Sequence, residues 1–119
     1  MSQKVLVMGA SLNPDRYSNK AIIKLKEFGH TIFAFGIKSG DVQGIKVQTL
    51  IPEFDFDTVT IYLNPKNQKQ YYDQMLTLNA KRYIFNPGAE NEELSNLIEK
   101  KGAKSINACT LVMLSIRNF

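Results

Sequence analysis

The residues best suited to chemistry follow the first apolar run of the chain. Residues 4–8 are typical of a buried strand, and they lead into Gly9, Ala10 and Ser11 and then Asn13-Pro14. Glycine and other small residues let a ligand approach the main chain closely, and main-chain N–H groups at a helix start attract anions. The pattern predicts a phosphate-binding turn, and therefore a nucleotide site.

Cations and hydroxyls follow this turn at the start of the first predicted helix. Arg16, Tyr17 and Ser18 occur there, with only Asp15 opposed to an anion. A later helix begins with Glu92-Glu93, which satisfies its own dipole and would repel phosphate. We therefore expect a pyrophosphate at the first helix, where Arg16 can fork onto its oxygens. The alternative for Arg16 is an exposed loop cation.

The other predicted strands also end in distinctive turns. The candidate residues there are Lys38 after the second strand, Asn64 and Pro65 after the third, Asn86, Pro87 and Gly88 after the fourth, and Asn107 and Cys109 after the fifth. The carboxyl ends of parallel strands meet at one edge of a sheet, where ligands bind. Loops also use Asn, Pro and Gly for purely structural reasons, so each turn by itself fits either role.

Two missing sequence features restrict which nucleotide the site is expected to bind. The turn at Gly9 lacks the second and third glycines of a dinucleotide fingerprint, and the second strand ends in Gly36-Ile37-Lys38 without the acid that binds an unmodified ribose. Lys38 would instead suit a phosphate on the sugar, which favours coenzyme A or NADP over NAD. The alternative is that Lys38 is a solvated loop lysine.

No catalytic set of residues is evident. The only histidine, His30, precedes a strand at the end opposite the predicted site. Glu90 and Glu92-Glu93 are explained by helix capping and the helix dipole. A helix start could activate the Cys109 thiol, but no histidine is available to assist it, which favours a small packed residue. We expect a protein without enzymatic activity.

Apolar runs and amphipathic segments alternate along the chain. The expected strands are 4–8, 31–35, 58–63, 82–85 and 104–106, and the expected helices are 18–28, 67–78, a segment capped by Asn91, and 110–117. Residues 38–57 are expected to form a meandering connection with one short extended piece at 46–48. This alternation predicts a single domain over residues 1–119, a Rossmann-like three-layer α/β/α fold with a five-stranded, mostly parallel sheet.

Composition restricts the partners. The net charge of +4 suits anionic ligands, but Lys and Arg are scattered, which argues against nucleic-acid binding. No apolar run approaches the roughly 20 residues that cross a bilayer, and the polar start lacks a signal sequence, so we expect a cytoplasmic protein without membrane contact. One cysteine excludes an internal disulfide or a cysteine zinc cage.

The motifs, in their order along the chain, resemble those of the small, stand-alone CoA-binding proteins. These proteins are relatives of the CoA-binding domain of acyl-CoA synthetases and of the succinyl-CoA ligase α subunit. The motifs that carry this resemblance are Val7-Met8-Gly9-Ala10-Ser11, Asn13-Pro14-Asp15-Arg16-Tyr17-Ser18, Leu25-Lys26-Glu27-Phe28-Gly29-His30, Gly44, Tyr62-Leu63-Asn64-Pro65, Asn86-Pro87-Gly88-Ala89-Glu90-Asn91 and 107–114. The resemblance implies that Gly9 to Ser11, Arg16 and Ser18 meet the CoA phosphates, and that the turns at Asn64 and Asn86 line the remaining cleft. The family often has a Val-Asn-Pro turn after the second strand, from which this chain departs.

The sequence therefore predicts non-catalytic binding of coenzyme A or an acyl-CoA, as a sensor or as a partner subunit, with either another protein or a second copy of the chain as the partner. Two other hypotheses remain open. One is an NADP-dependent reductase domain, against which stands the lack of a recognisable tyrosine–lysine catalytic pair. The other is an interaction protein whose nucleotide site has decayed, which the departure at Gly36-Ile37-Lys38 allows.

Overall fold

The computed structural model describes residues 2–119, which form one seven-stranded sheet flanked by helices. The strands are β1 Lys4–Met8, β2 Thr31–Phe35, β3 Gly40–Val42, β4 Ile45–Gln48, β5 Asp55–Ile61, β6 Asn79–Phe85 and β7 Lys104–Asn107. The helices are α1 Tyr17–Glu27, α2 Pro65–Gln68, α3 Tyr72–Thr77, α4 Glu92–Lys100 and α5 Thr110–Ser115. A 3-10 turn, Lys69–Tyr71, joins α2 to α3.

The strand order places the topological switch at β1. The order is β3-β4-β2-β1-β5-β6-β7, and all neighbouring pairs are parallel except β3 with β4. The chain moves from β1 to β2 on one side and later returns to β5 on the other side of β1. Crevices for ligands in open parallel sheets lie at the carboxyl ends of the strands beside such a reversal.

Alternate side chains of the central strands enter two separate cores. Val5 and Val7 share one core with Ile22 and Leu25 of α1 and Leu114 of α5. On the other face, Leu6 and Met8 pack in a core with Met75 of α3 and Leu94 and Ile98 of α4. Each fully buried aliphatic side chain contributes roughly 1.5–3 kcal/mol to folding. The layers are therefore helix, sheet and helix, and the predicted α/β class is confirmed.

The predicted number of five strands is wrong because residues 38–57 contain a hairpin. β3 and β4 are joined by Gln43 and Gly44, whose φ angles are 49° and 89°. Two consecutive positive φ angles match the tight turns that suit the twist of paired strands. Asp41 accepts a hydrogen bond from the Gly44 amide (2.8 Å), which holds the turn. β4 then extends the sheet by pairing with β2.

The bounds of two strands, β5 and β6, also differ from the expected ones by two or three residues. β5 spans Asp55–Ile61 rather than 58–63, and β6 begins at Asn79 rather than at 82. The amino end of β5 projects charged side chains around the buried Phe56, and Asp57 accepts a hydrogen bond from the Lys4 amide (2.8 Å). The earlier end of β5 leaves residues 62 and 63 at the carboxyl edge of the sheet.

The expected helix at 67–78 is divided into α2, the 3-10 turn and α3. Asn91 caps α4 as predicted, because its side chain accepts a hydrogen bond from the Leu94 amide. Within residues 2–119, no helix combines the length and apolar character that a bilayer crossing requires.

Candidate functional site

A cleft of about 590 Å³ lies at the carboxyl edge of β1, β2 and β5, beside the topological switch. Its walls come from the turn after β1, the start of α1, the end of β2, the segment after β5, and the turn after β6. The lining residues are Gly9, Ala10, Ser11, Leu12, Asn13, Arg16, Tyr17, Ser18, Phe35, Gly36, Ile37, Lys38, Tyr62, Leu63, Asn67, Tyr71 and Pro87.

The turn after β1 is locked onto the end of β2. The amides of Gly9 and Ala10 both donate to the Phe35 carbonyl, at 2.9 and 2.8 Å, and Gly9 has a φ of 87°. A Cβ atom at Gly36 would lie 2.2 Å from the Ala10 carbonyl oxygen, so only glycine fits there. The amides of Gly9 and Ala10 are therefore occupied by protein, and an anion must find its main-chain donors further along, between Ser11 and the start of α1.

Short-range hydrogen bonds shape the loop between this turn and α1. The Asn13 amide donates to Ser11 Oγ (3.1 Å), and the Asp15 amide donates to Asn13 Oδ1 (3.0 Å). The Arg16 amide donates to the Asn13 carbonyl (3.1 Å), while Asn19 Nδ2 donates to the Ser11 carbonyl (2.9 Å). These contacts fold the loop back on itself and hold Arg16 at the entrance to α1.

The N-terminus of α1 is open to an anion. Arg16 occupies the N-cap position, makes no capping hydrogen bond with its side chain, and is followed by a first turn without acidic residues. The first N–H groups of a helix, here those of Tyr17, Ser18 and Asn19, have no partner inside the helix. Arg16, Tyr17 and Ser18 also line the cleft. Main-chain donors and a guanidinium therefore face the same space.

The far wall of the cleft is largely apolar. Phe35 and Tyr71 pack edge to face with their ring centroids 5.0 Å apart. At the rim, Ile37 is 84% exposed and Tyr17 is 70% exposed. Tyr71 thus packs against the end of β2 and also lines the cleft. Such surfaces suit an uncharged ring or chain rather than a second phosphate.

Tyr62 places a buried hydroxyl under the cleft. Its Oη atom has no hydrogen-bond partner among the described residues, because the nearby hydroxyls of Thr60 and Thr110 bond to each other at 2.8 Å. Burial raises the pKa of Tyr62 to about 12, against the opposing effect of the Thr110 and Thr60 hydroxyls. Tyr62 is thus a neutral phenol at any physiological pH.

The structure brings most of the predicted site residues together. The candidates that line the cleft are Gly9, Ala10, Ser11, Arg16, Tyr17, Ser18, Lys38 and Pro87. The candidates that lie at the same edge of the sheet but outside the cleft lining are Asn64, Pro65, Asn86, Gly88, Asn107 and Cys109. Participation of either group in ligand binding stays a prediction.

The asparagines outside the cleft have structural partners. Asn86 is buried, and its Nδ2 donates to Thr60 Oγ1 (2.7 Å) and to the Ile61 carbonyl (3.0 Å). Its Oδ1 accepts from the Thr110 amide (2.8 Å), which ties β5, β6 and α5 together. Asn64 Oδ1 accepts from the Asn67 amide (2.9 Å) and caps α2.

The remaining candidates outside the cleft lie in turns and helix ends. Pro65 is the first residue of α2, and the Gly88 amide donates to Glu90 Oε1 (2.8 Å). Asn107 is exposed at the end of β7, and Cys109 is a free thiol at the N-cap position of α5.

Sequence reasoning missed several lining residues. The sequence places Tyr62 and Leu63 at the end of a strand and Asn67 at the start of a helix. β5 instead ends at Ile61 and leaves Tyr62 and Leu63 at the cleft, and Asn67 lines the cleft from within α2. Leu12 and Asn13 also line the cleft. The available signal was position, since residues directly after a strand of a parallel sheet face its carboxyl edge.

Several side-chain types that commonly act in catalysis are missing from the cleft lining. This lining contains no histidine, cysteine or carboxylate, and residues 2–119 hold no group of three or more His, Cys, Asp or Glu side chains suited to a metal ion. His30 lies at the opposite edge of the sheet, where its Nδ1 accepts from the Gln3 amide (3.0 Å) and its ring packs against Phe119. Burial, and secondarily nearby positive charge including Arg82, lowers the pKa of His30.

A family model described as a CoA binding domain matches residues 3–115. The chain belongs to this family of CoA-binding domains. The match covers the turn after β1, the start of α1 and every other wall of the cleft, so the resemblance expected from the motifs is confirmed. No curated protein matches the sequence significantly.

Solved structures share the fold of this CoA-binding domain. A crystal structure of an uncharacterized protein is 42% identical, covers 100% of this chain and 99% of its own, and superposes with a TM-score of 0.96. A conserved hypothetical protein from Pyrococcus furiosus is 27% identical, with 94% and 98% coverage and a TM-score of 0.78. A hypothetical protein from Pyrococcus horikoshii is 25% identical, with 98% and 83% coverage and a TM-score of 0.84.

Proposed function

We propose that this chain binds coenzyme A or an acyl-CoA without chemically changing it, and acts as a sensor or as a partner subunit. The observation that carries the proposal is the open N-terminus of α1, which faces the cleft within a chain of the CoA-binding family. Helix N-termini favour phosphate through their free N–H groups and their dipole. The other parts of the ligand are proposed from the chemistry of the walls around this point.

The diphosphate of the coenzyme is proposed to lie against Ser11, Arg16 and the first turn of α1. Ser18 is 4% exposed and lines the cleft, so its side chain is packed at this position in the protein alone. The folded loop already positions the Arg16 backbone, because the Arg16 amide donates a hydrogen bond to the Asn13 carbonyl. A guanidinium forked onto phosphate oxygens adds charge-assisted hydrogen bonds to those of the main chain.

The sugar phosphate is proposed to meet Lys38. Lys38 lines the cleft directly after Ile37, and the end of β2 carries no acid that would repel a phosphorylated ribose. The uncharged arm of the coenzyme then follows the apolar wall formed by Leu63, Tyr71 and Pro87. This assignment distinguishes CoA, which carries a phosphate on its ribose, from dephospho-CoA, which does not.

The proposed absence of catalysis is supported by the side chains that line the cleft. They include no histidine, cysteine, aspartate or glutamate, which are common general bases or nucleophiles in enzymes. Incubation with acetyl-CoA should leave the thioester intact, with thiol release no faster than in buffer. The single free cysteine is consistent with the cytoplasmic location that we include in the proposal.

Thermal denaturation with CoA, acetyl-CoA, dephospho-CoA, NADP and NAD tests the proposal. A ligand that binds the native state raises the melting temperature according to its concentration and Kd. We expect stabilisation by CoA and acetyl-CoA, a smaller effect of dephospho-CoA, and none by NAD. Selective stabilisation by NADP would favour the reductase-like alternative. Stabilisation by none of the five would favour an interaction protein with a decayed site.

A further inference from the structure

A second cavity, of about 790 Å³, opens at the amino ends of β5, β6 and β7, on the edge of the sheet opposite the cleft. We call it the basal cavity. Four cations and one acid line it, namely Lys81, Arg82, Lys101, Lys104 and Asp57. Its volume is that of a typical small-molecule site, and its charge favours an anion.

Two of the four cations already have partners. Lys81 Nζ lies 3.2 Å from Asp57 Oδ1, which also neutralises the only acid of the basal cavity. Lys101 Nζ donates to the carbonyls of Leu76 and Leu78, each at 2.7 Å, at the end of α3. A cation at a helix C-terminus is stabilised by the helix dipole. These two lysines therefore need no ligand.

Arg82 differs because its partners are neutral. Its Nε donates to Thr58 Oγ1 (3.1 Å), its Nη2 makes a long contact with Gln3 Oε1 (3.5 Å), and its guanidinium lies 4.8 Å from the centre of the Phe119 ring. In residues 2–119 no carboxylate pairs with Arg82. Burial lowers the pKa of Arg82. A partly buried guanidinium with five donors keeps several of them available for an acceptor.

Lys104 adds a second charge beside this guanidinium. Arg82 and Lys104 are register partners in the parallel pair β6–β7, so both side chains project from the same face of the sheet. Like charges on directly paired positions of adjacent strands destabilise a sheet. An anion bound between them would offset that repulsion and give Arg82 a negatively charged acceptor beside its neutral ones.

We propose that the basal cavity is a second ligand site, independent of the coenzyme cleft, in which Arg82 and Lys104 bind the phosphate or carboxylate group of a small anion. Arg82 supplies a planar fork for two acceptor oxygens, and Lys104 supplies a point charge. Thr58 and Gln3 accept from the guanidinium and orient it.

An NMR titration of the full chain with sodium phosphate, against sodium chloride at equal ionic strength, tests this site. We expect saturable shifts of the Arg82, Ala103 and Lys104 amides with phosphate only. Arg82→Met and Lys104→Gln should each weaken phosphate binding by about tenfold, as the loss of one charge-assisted contact predicts. A parallel titration with sodium succinate determines whether a carboxylate serves equally well.

Lys100→Gln is the matched control, because it removes one exposed cation of α4 outside the basal cavity and should leave the phosphate Kd unchanged. The Kd is taken from the Arg82 and Lys104 amide shifts alone, which separates this site from the coenzyme cleft even if CoA proves not to bind. Equal shifts with chloride, shifts confined to residues 11–18, or phosphate affinity that survives both Arg82→Met and Lys104→Gln would overturn the proposal.

Discussion

Two helices begin at the same edge of the sheet, and their first turns are built in opposite ways. α4 is closed, because Asn91 accepts from the Leu94 amide and Glu92 and Glu93 lie in its first turn. α1 has neither a side-chain cap nor an acid, and its N-cap residue is Arg16. Capping residues and acids stabilise a helix start, so α1 lacks a contribution that α4 has. We take this difference to separate a ligand-binding helix end from a structural one.

The variant with the largest expected effect disrupts the turn that precedes α1. Gly36→Ala would place a Cβ 2.2 Å from the Ala10 carbonyl oxygen, in a turn that the main chain holds on both sides. Overpacking against backbone should destabilise the fold by about 3 kcal/mol or more and abolish CoA binding. Urea denaturation measures the first effect and calorimetric titration the second.

Gly40→Ala is the control for this variant. Its added Cβ meets only side-chain atoms of Leu12, which can move. A stability loss in Gly40→Ala as large as that in Gly36→Ala would contradict the assigned role of the close contact at Ala10.

The second-largest expected effect comes from removing the N-cap of α4. Asn91→Ala removes the cap and also the hydrogen bonds that Asn91 Nδ2 donates to Gln68 Oε1 (2.8 Å) and to the Tyr72 hydroxyl (2.7 Å). We expect a loss of about 2 kcal/mol in the free energy of unfolding, the upper range for a cap, with the CoA Kd unchanged. Chemical denaturation of the apo protein measures the loss. A stability change below about 0.5 kcal/mol would show that α4 does not depend on its cap.

Arg16→Ala should give the converse result. Arg16 makes no capping hydrogen bond, so the free energy of unfolding should change by less than about 0.5 kcal/mol, as for other surface positions. The CoA Kd should rise by about tenfold, because one charge-assisted contact is lost. Calorimetric titration measures the Kd. Unchanged affinity would remove Arg16 from the site.

Two buried tyrosine hydroxyls, one beneath the cleft and one on the α4 face, provide a further comparison. Tyr83, on the α4 face, donates to the Met75 carbonyl at 2.7 Å, whereas the Tyr62 hydroxyl beneath the cleft has no partner within residues 2–119. Tyr83→Phe should cost about 1 kcal/mol, the net value of a hydrogen bond, and Tyr62→Phe should cost nothing or stabilise. Thermal denaturation compares the two variants. Equal losses would show that the Tyr62 hydroxyl has a partner in solution.

The variant with the smallest expected effect gives the first turn of α1 an acid, as in α4. Tyr17→Glu adds an acid to the first turn and should stabilise the apo protein by about 0.3–1 kcal/mol through the helix dipole. The same charge should weaken CoA binding. Tyr17→Gln, which removes the ring without adding charge, is the control, and both are compared by thermal denaturation with and without CoA. Equal CoA affinity in the two variants would contradict an anion at this helix end.

The sequence predicted more of the scaffold than of the cleft walls. β1 and β2 have the predicted bounds, since a short apolar run followed by glycine identifies a central strand by itself. The β3–β4 hairpin was missed because its turn, Gln43-Gly44, lacks the usual Asn-Gly signal. The end of β5 was placed two residues late, because Tyr62 and Leu63 continue the apolar run beyond the last paired residue.

The asparagine turns show why residue type alone could not assign the site. Asn86 and Asn64 occur where ligand-binding amides are expected, yet Asn86 joins two strands to α5 and Asn64 caps α2. Pro87, beside Asn86, does line the cleft. An amide side chain serves either purpose, and the partners of Asn86 lie 24 to 26 residues away along the chain.

The amino-acid sequence by itself determined the strand and helix alternation, the absence of acids around Arg16 and the self-capped start at Asn91, because these depend on neighbouring residues. Only the tertiary structure decided which donors remain for a ligand. The Phe35 carbonyl, about 25 residues away along the chain, occupies the amides of Gly9 and Ala10. Pairing of β1 with β2 creates that contact, and no local pattern encodes it, because a main-chain hydrogen bond carries no side-chain signature.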